Sequence, residues 1–263
     1  MRKTFHFAVG VLATVLAAGP ASATEKFIAA GSSTIQPVME DMKAVFDAAG
    51  YKVTVQGGGT GVGVKTAQSG MALIGMASRE LSAEEKTVLN VTAFAKDAVA
   101  IIVHSSNPMT QISSAEIKEI FSGKTAKWKS GQAITVISKE PGRATLEVFE
   151  EHFGLKGQIR KDAVIIGPNG QAVAATAGDK NAIGFVSLGD AAEAVKQGLS
   201  LKILVLDGVT PSPETVKDGT YSLSRNLNLV YLPKNEKQAK KIIDLFFTAE
   251  GKAVIAKHTF LPI

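Results

Sequence analysis

Apolar and polar positions along this chain switch repeatedly between two periods. Lys26 to Ala30 is a short apolar run bounded by Gly31-Ser32-Ser33-Thr34, which predicts a buried strand. Ile35, Val38, Met39, Met42, Val45 and Phe46 then recur at helical spacing, and Gly50 closes the helix they predict. Tyr51-Lys52-Val53-Thr54-Val55 alternates as a half-buried strand does. It runs through Gln56-Gly57-Gly58-Gly59-Thr60-Gly61-Val62-Gly63 into a predicted helix that starts over Val64 to Gln68. Met71 to Ala77 predicts a third strand, ended by Ser78-Arg79-Glu80-Leu81-Ser82.

The same rhythm continues. Val91 to His104 is a long apolar run with a charged interruption at Lys96-Asp97, and Asn107-Pro108 turns it. Ser113, with Glu116 at the capping-box offset, opens a helix striped by Ile117, Ile120 and Phe121. Ala133 to Ile137 predicts a strand that feeds Ser138-Lys139-Glu140-Pro141-Gly142-Arg143-Ala144-Thr145 and a helix carrying Leu146, Phe149 and Phe153. Later strands are expected at Ile165-Ile166, Ala182 to Val186, Leu199 to Leu206 and Asn226 to Leu232. Between them, Asn169-Gly170 reads as an ordinary turn before a small helix over Gln171 to Ala177. Asn235 precedes a helix with Ala239, Ile242, Ile243, Phe246 and Phe247, and Glu250 to Lys257 is the last. Strands alternating with helices predict an α/β fold with largely parallel strands, whose carboxyl ends share one edge where ligands collect.

Composition and charge narrow the class. Arg2 and Lys3, the apolar Phe7 to Ala18 and the small-x-small site Ala21-Ser22-Ala23 predict a signal peptide over residues 1–23. No cysteine occurs, which excludes a lipid-modified N-terminal Cys, disulfides and thiolate metal sites. A mature chain free in a bacterial periplasm is expected, with no later stretch long and apolar enough to span a bilayer. Removing Arg2 and Lys3 lowers the formal charge from +5 to +3. That surplus suits an anionic ligand. Lys and Arg are scattered and not interleaved with aromatics, so no nucleic-acid partner is indicated.

The candidate chemistry sits in the turns. Three strand–turn–helix units bring glycine and hydroxyl groups to strand ends: Ser33 and Thr34, then Thr60 and Gly61, then Ser78 with the cation Arg79. Glycine leaves backbone N–H groups open to an anion, and a helix's first turn has unpaired donors. The glycine run is no Walker A loop, because Val64 separates Gly63 from Lys65, and Lys118 stands where the Gly123-Lys124-Thr125 ending needs its leading glycine. The dinucleotide spacing also fails in Gly57 to Gly63. A fourth unit adds Lys139, Arg143, Ala144 and Thr145. A cation such as Arg143 at a helix start opposes the helix dipole, which a nearby anion would explain.

Ala30-Gly31-Ser32-Ser33-Thr34, Val55-Gln56-Gly57-Gly58-Gly59-Thr60-Gly61 and Ile74-Gly75-Met76-Ala77-Ser78-Arg79-Glu80-Leu81 together resemble the N-terminal lobe of the phosphate-binding proteins of bacterial ABC importers. The resemblance runs through most of the chain, including Glu116 to Trp128, Gly184 to Gly189, and Gly251-Lys252 with Leu261-Pro262. It implies a type II periplasmic-binding-protein fold, two α/β lobes joined by two hinge strands around a ligand cleft. Lobe 1 is then expected at 24–97 and 228–263, and lobe 2 at 98–227, with Ala98 to His104 and Asn226 to Leu232 as the crossings. It further implies a monomer that delivers inorganic phosphate to a membrane ABC permease, without a cofactor. The sequence departs from the family twice. Where the family reads Arg, three residues, then Ser-Gly-Thr, this chain has Lys139, then Arg143-Ala144-Thr145. Arg143 is expected to supply the planar fork that Lys139 cannot. Ser78 stands where many members have an Asp that accepts a proton from the oxyanion, which leaves phosphate over sulfate open.

No catalytic constellation is present. His104, His152 and His258 stand apart without metal-ligand spacing, and the G-x-S-x-G elbow is absent. A non-enzymatic carrier is expected. The rivals are an exported anion sensor, a binder of a different oxyanion, and a secreted phosphatase or esterase.

Overall fold

The computed structural model describes residues 24–263, so the expected signal peptide lies outside the described residues. The chain opens with β1 (Glu25–Gly31), whose second half is buried as its apolar run requires. The stripe expected to form one helix forms two, α1 (Gln36–Asp41) and α2 (Lys43–Ala48). Bonds from Met42 N–H to Val38 O and from Phe46 N–H to Met42 O bridge the junction. Ile35, Val38, Met39, Met42 and Phe46 therefore stay on one buried face.

β2 (Tyr51–Gln56) leads into α3 (Thr60–Ser69), which starts four residues earlier than the sequence suggests. The reason is close packing. A Cβ on Gly63 would lie 2.7 Å from both Ala30 O and Met76 O. Glycine there lets the first turn of α3 press against the ends of β1 and of β3 (Ile74–Ala77). Ser82 and Glu85 form a capping box on α4 (Ala83–Val88).

β4 (Asn90–His104) is one continuous strand through Lys96-Asp97. β5 (Gln111–Ile112) and α5 (Ser114–Phe121) follow, the latter capped by Ser113 and Glu116 as their spacing predicts. Then come β6 (Thr135–Lys139), α6 (Ala144–Phe153), β7 (Val164–Ile166), α7 (Asn169–Gly178), β8 (Ala182–Ser187) and α8 (Leu188–Lys196). The strand expected at Leu199 to Leu206 is split into β9 (Leu201–Ile203) and β10 (Val205–Leu206), because the first pairs with β4 and the second with β5. The chain ends with α9 (Pro213–Lys217), β11 (Ser224–Tyr231), α10 (Glu236–Ile243), α11 (Ala249–Lys257) and β12 (Leu261–Pro262).

The main sheet runs β2-β1-β3-β11-β4-β8-β6-β7. Its flanks are parallel, while β11 is antiparallel to both β3 and β4. One apolar core holds residues from Ala98 to Leu223. Another is built from Phe27 to Ala95 and from Leu227 to Phe260. The cores therefore exchange between Ala95 and Ala98 on β4, and between Leu223, just before β11, and Leu227 within it. These two antiparallel strands tie the two lobes together, and parallel strand ends from each lobe face the seam between them.

Candidate functional site

Five turns meet at that seam. Ser32, Ser33, Thr34, Gly59, Thr60 and Ser78 from lobe 1 enclose one gap with Arg143, Ala144, Thr145, Gly167 and Asn169 from lobe 2. Of the residues expected from sequence, Ser33, Thr34, Thr60, Ser78, Arg143, Ala144 and Thr145 are brought together here. The cavity volume is about 10 Å³, close to what one water requires.

The lobe 1 wall is neutral. Ser32 Oγ donates to Ser78 Oγ at 2.9 Å, and Ser78 N–H donates to Thr60 Oγ1 at 3.0 Å. Ser32 Oγ also accepts from the N–H groups of Thr34 and Ile35, which shapes the turn before α1. Thr34 Oγ1 accepts twice, from Asn169 Nδ2 at 3.1 Å and from Arg225 Nη2 at 3.0 Å. With its acceptor capacity filled, the Thr34 hydroxyl is left as a donor.

The opposite wall carries charge. α6 begins at Ala144 and Thr145, so the first turn of a ten-residue helix, with its unpaired N–H groups, borders the gap. Arg143 directs Nε and Nη2 to Glu140 Oε2, at 3.3 and 2.9 Å. Its Nη1 is buried without any hydrogen-bond partner. No carboxylate is among the residues lining the gap.

Arg225, a residue the sequence does not mark, underlies both walls. It stands opposite Asp97 in the β11–β4 register. Arg225 Nε and Nη2 reach Asp97 Oδ2 at 3.0 and 2.7 Å. Its Nη1 donates to Thr145 Oγ1 at 3.0 Å, while Nη2 also reaches Thr34. One guanidinium on a hinge strand thus touches a hydroxyl of each lobe. Both charges are almost wholly buried. Burial pushes the Asp97 carboxyl up; Arg225 and the Ser187 hydroxyl, which donates to Asp97 at 3.1 Å, pull it back.

Three expected site residues stand elsewhere. Arg79 does not line the gap: its guanidinium holds Glu85 by two bonds, at 2.7 and 2.9 Å, and also pairs with Glu147 of α6. Two nearby carboxylates hold this largely buried cation away from the gap. Gly61 donates its N–H to Gly142 O at 3.1 Å, so it joins the lobes across the mouth rather than offering a free donor. Lys139 is buried behind the lining, donating to Asn169 Oδ1 at 3.0 Å. Asn169, read from sequence as an ordinary turn, starts α7 and also donates to Asp190 Oδ2 at 2.7 Å.

Burial lowers the Lys139 ammonium to about 7. Burial raises the Asp190 carboxyl to about 6. The signs follow. The unfolded chain holds the Lys139 proton above about 7 where the folded chain has lost it, so this group adds stability as pH rises through that window. Asp190 is protonated in the folded chain up to about 6, so its contribution is lost as pH rises from the ordinary carboxylate range to that value.

A two-lobed α/β receptor with its gap between the lobes is the class this architecture defines. The model of the PBP superfamily domain matches residues 17–250, and the chain belongs to that superfamily. It is similar to a Clostridium perfringens protein, proposed to be a phosphate ABC transporter substrate-binding protein and solved with bound phosphate. The identity is 30%, the TM-score 0.83, and the match covers 91% of this chain and 100% of that one. An ABC-type phosphate transport receptor from Vibrio cholerae is 25% identical with a TM-score of 0.74, over 89% and 99% of the two chains. The phosphate-binding protein PstS of Borreliella burgdorferi is 26% identical over 250 residues, 89% of this chain and 88% of that protein. The type II periplasmic-binding fold expected from sequence is the fold observed. No helix among the described residues is long and apolar enough to cross a membrane.

Proposed function

We propose that this chain captures inorganic phosphate between its lobes and presents it, closed, to a membrane ABC permease. The observation that carries the reading is the buried, partnerless Nη1 of Arg143 in a gap lined by hydroxyls and a helix start. A buried guanidinium nitrogen without an acceptor is costly, and an oxyanion relieves it with a charge-assisted bond. The names of the relatives, phosphate receptors and PstS proteins, support the same ligand. A tetrahedral oxyanion is larger than a water, so its arrival spreads the closed gap; Arg143 is the side chain with a free donor to follow it. The ligand contacts assigned are Ser33, Thr34, Thr60, Ser78, Arg143, Ala144 and Thr145, with Arg225 bracing the hydroxyls from below. The lobes are assigned as 24–97 with 228–263, and 98–227. The chain acts as an exported, non-lipidated, monomeric carrier without enzymatic turnover.

Calorimetric titration with phosphate, arsenate and sulfate tests the ligand. Micromolar or tighter phosphate binding is expected, since several charge-assisted bonds of about 1.5–3 kcal/mol each reach that range. No heat with any of the three anions removes the proposal. A second reading is favoured by one observation: without a lining carboxylate, nothing repels a fully ionised anion. Sulfate bound as tightly as phosphate would make the protein a broader oxyanion carrier. Turnover of a chromogenic phosphate ester would move it to the enzymes.

A further inference from the structure

Lys139 sits in an unusual position for an ammonium group. It is 2% exposed, at the end of β6, directly behind the cleft lining. Its nitrogen has one neutral acceptor, Asn169 Oδ1. Asn169 in turn donates to Thr34 on the cleft wall and to Asp190 in the first turn of α8. The charged groups around Lys139 come from every neighbouring element. Asp190 faces it from α8, Glu140 and Arg143 from the turn before α6, and Arg225, already matched by Asp97, from β11. Arg143 is bonded to Glu140 and Arg225 to Asp97, whereas the Lys139 nitrogen has no carboxylate bonded to it; of these three cations only the ammonium can shed its proton.

We propose that anion capture in this cleft draws a proton from solvent onto Lys139, which acts through Asn169 as a positioning residue behind the wall. The proposal rests on the oxyanion reading above and deepens it. In the empty cleft the amine is largely neutral on the basic side of about pH 7, the value to which burial brings it. An anion placed before Thr34 and Arg143 brings negative charge toward Lys139 and favours the ammonium form. The balance is simple: Lys139 gains one proton from buffer, and no other bond changes. Protonated Lys139 then has its full set of donors to hold the Asn169 Oδ1 face, which keeps Asn169 Nδ2 on Thr34 and the Thr34 hydroxyl pointed at ligand. The anion also disfavours ionisation of Asp190, in the same direction of proton uptake. Affinity should therefore weaken as pH rises above neutrality, up to about tenfold per pH unit while one proton is taken up.

The experiment is phosphate titration by calorimetry at about pH 8 in two buffers of different ionisation enthalpy, with wild type, Lys139→Arg and Lys139→Gln. The dependence of observed heat on buffer enthalpy counts the protons taken up. Phosphate's own proton balance is common to all three proteins and cancels in the differences. Wild type is expected to take up roughly half a proton or more beyond either variant. Lys139→Arg, with a permanent charge, should also show a flatter fall of affinity with pH. Either variant alone supplies the comparison should the other fail to fold. Phosphate binding with equal proton counts in wild type and variant overturns the coupling and leaves capture standing. Absence of phosphate binding in wild type overturns both.

Discussion

The two faces of the cleft solve one problem with different materials. Lobe 1 presents hydroxyls that are already bonded, Ser32 Oγ to Ser78 Oγ, and Thr60 Oγ1 to the backbone N–H of Ser78. Lobe 2 and the hinge present cations, Arg143 and Arg225. The neutral face fixes geometry, because Ser32 is held by bonds in both directions, while the oxygens of Thr34, Thr60 and Ser78 each already accept a bond. The cationic face supplies attraction, and its charges need partners of their own, Glu140 and Asp97, while the cleft is empty. Loss of a group should therefore disturb folding most on the hinge, affinity most at Arg143, and neither greatly at the mouth.

Arg225→Met attacks the contrast hardest. It leaves Asp97 buried without its counter-ion, and breaking a buried pair in this way costs about 3–5 kcal/mol of stability. Urea unfolding should show that loss, and the double variant Arg225→Met with Asp97→Leu should regain much of it. A single variant as stable as wild type would mean the pair is not what joins the hinge strands. Arg143→Ala should leave unfolding within about 0.5 kcal/mol of wild type but weaken phosphate by about 1.5–3 kcal/mol. Unchanged affinity by calorimetry would move the attracting charge elsewhere. On the neutral face, Thr60→Val removes a hydroxyl and the acceptor of Ser78 N–H; a loss of about 1 kcal/mol in binding is expected. An effect as large as that of Arg143→Ala would erase the division between the faces. Smallest of all, Arg79→Ala removes part-exposed ion pairs to Glu85 and Glu147 and should change affinity by less than about 1 kcal/mol. A larger loss in dissociation-rate measurements would restore Arg79 to the binding machinery.

Much of this was readable before any coordinates, for local reasons. Ser33, Thr34, Thr60, Ser78 and Thr145 follow strands and precede helices, and parallel topology brings such turns to one edge. Arg143 and Ala144 belong to the same kind of turn. Arg225 was not readable. It lies in a strand with no glycine turn beside it, and its partner Asp97 is 128 residues away. The charged interruption at Lys96-Asp97 was visible, but a sequence does not tell which of two adjacent charges faces inward. Arg79 is the opposite case: its turn is at the expected edge, but Glu85, six residues on, holds the side chain. The start of α3 was misplaced because glycine is a poor helix former on its own; only contact with Ala30 and Met76 makes it the residue that fits. For Lys139 the sequence gives position along a strand, not depth behind the cleft wall.

The interleaved course of the chain carries a cost during synthesis. Phe46 and Phe94 pack against Phe246, which leaves the ribosome some two hundred residues after the first of them. The lobe that is begun first is thus finished last, after its companion already has all its parts. Until then one greasy sheet face stands bare, a target for holding chaperones and for sticking to other nascent chains.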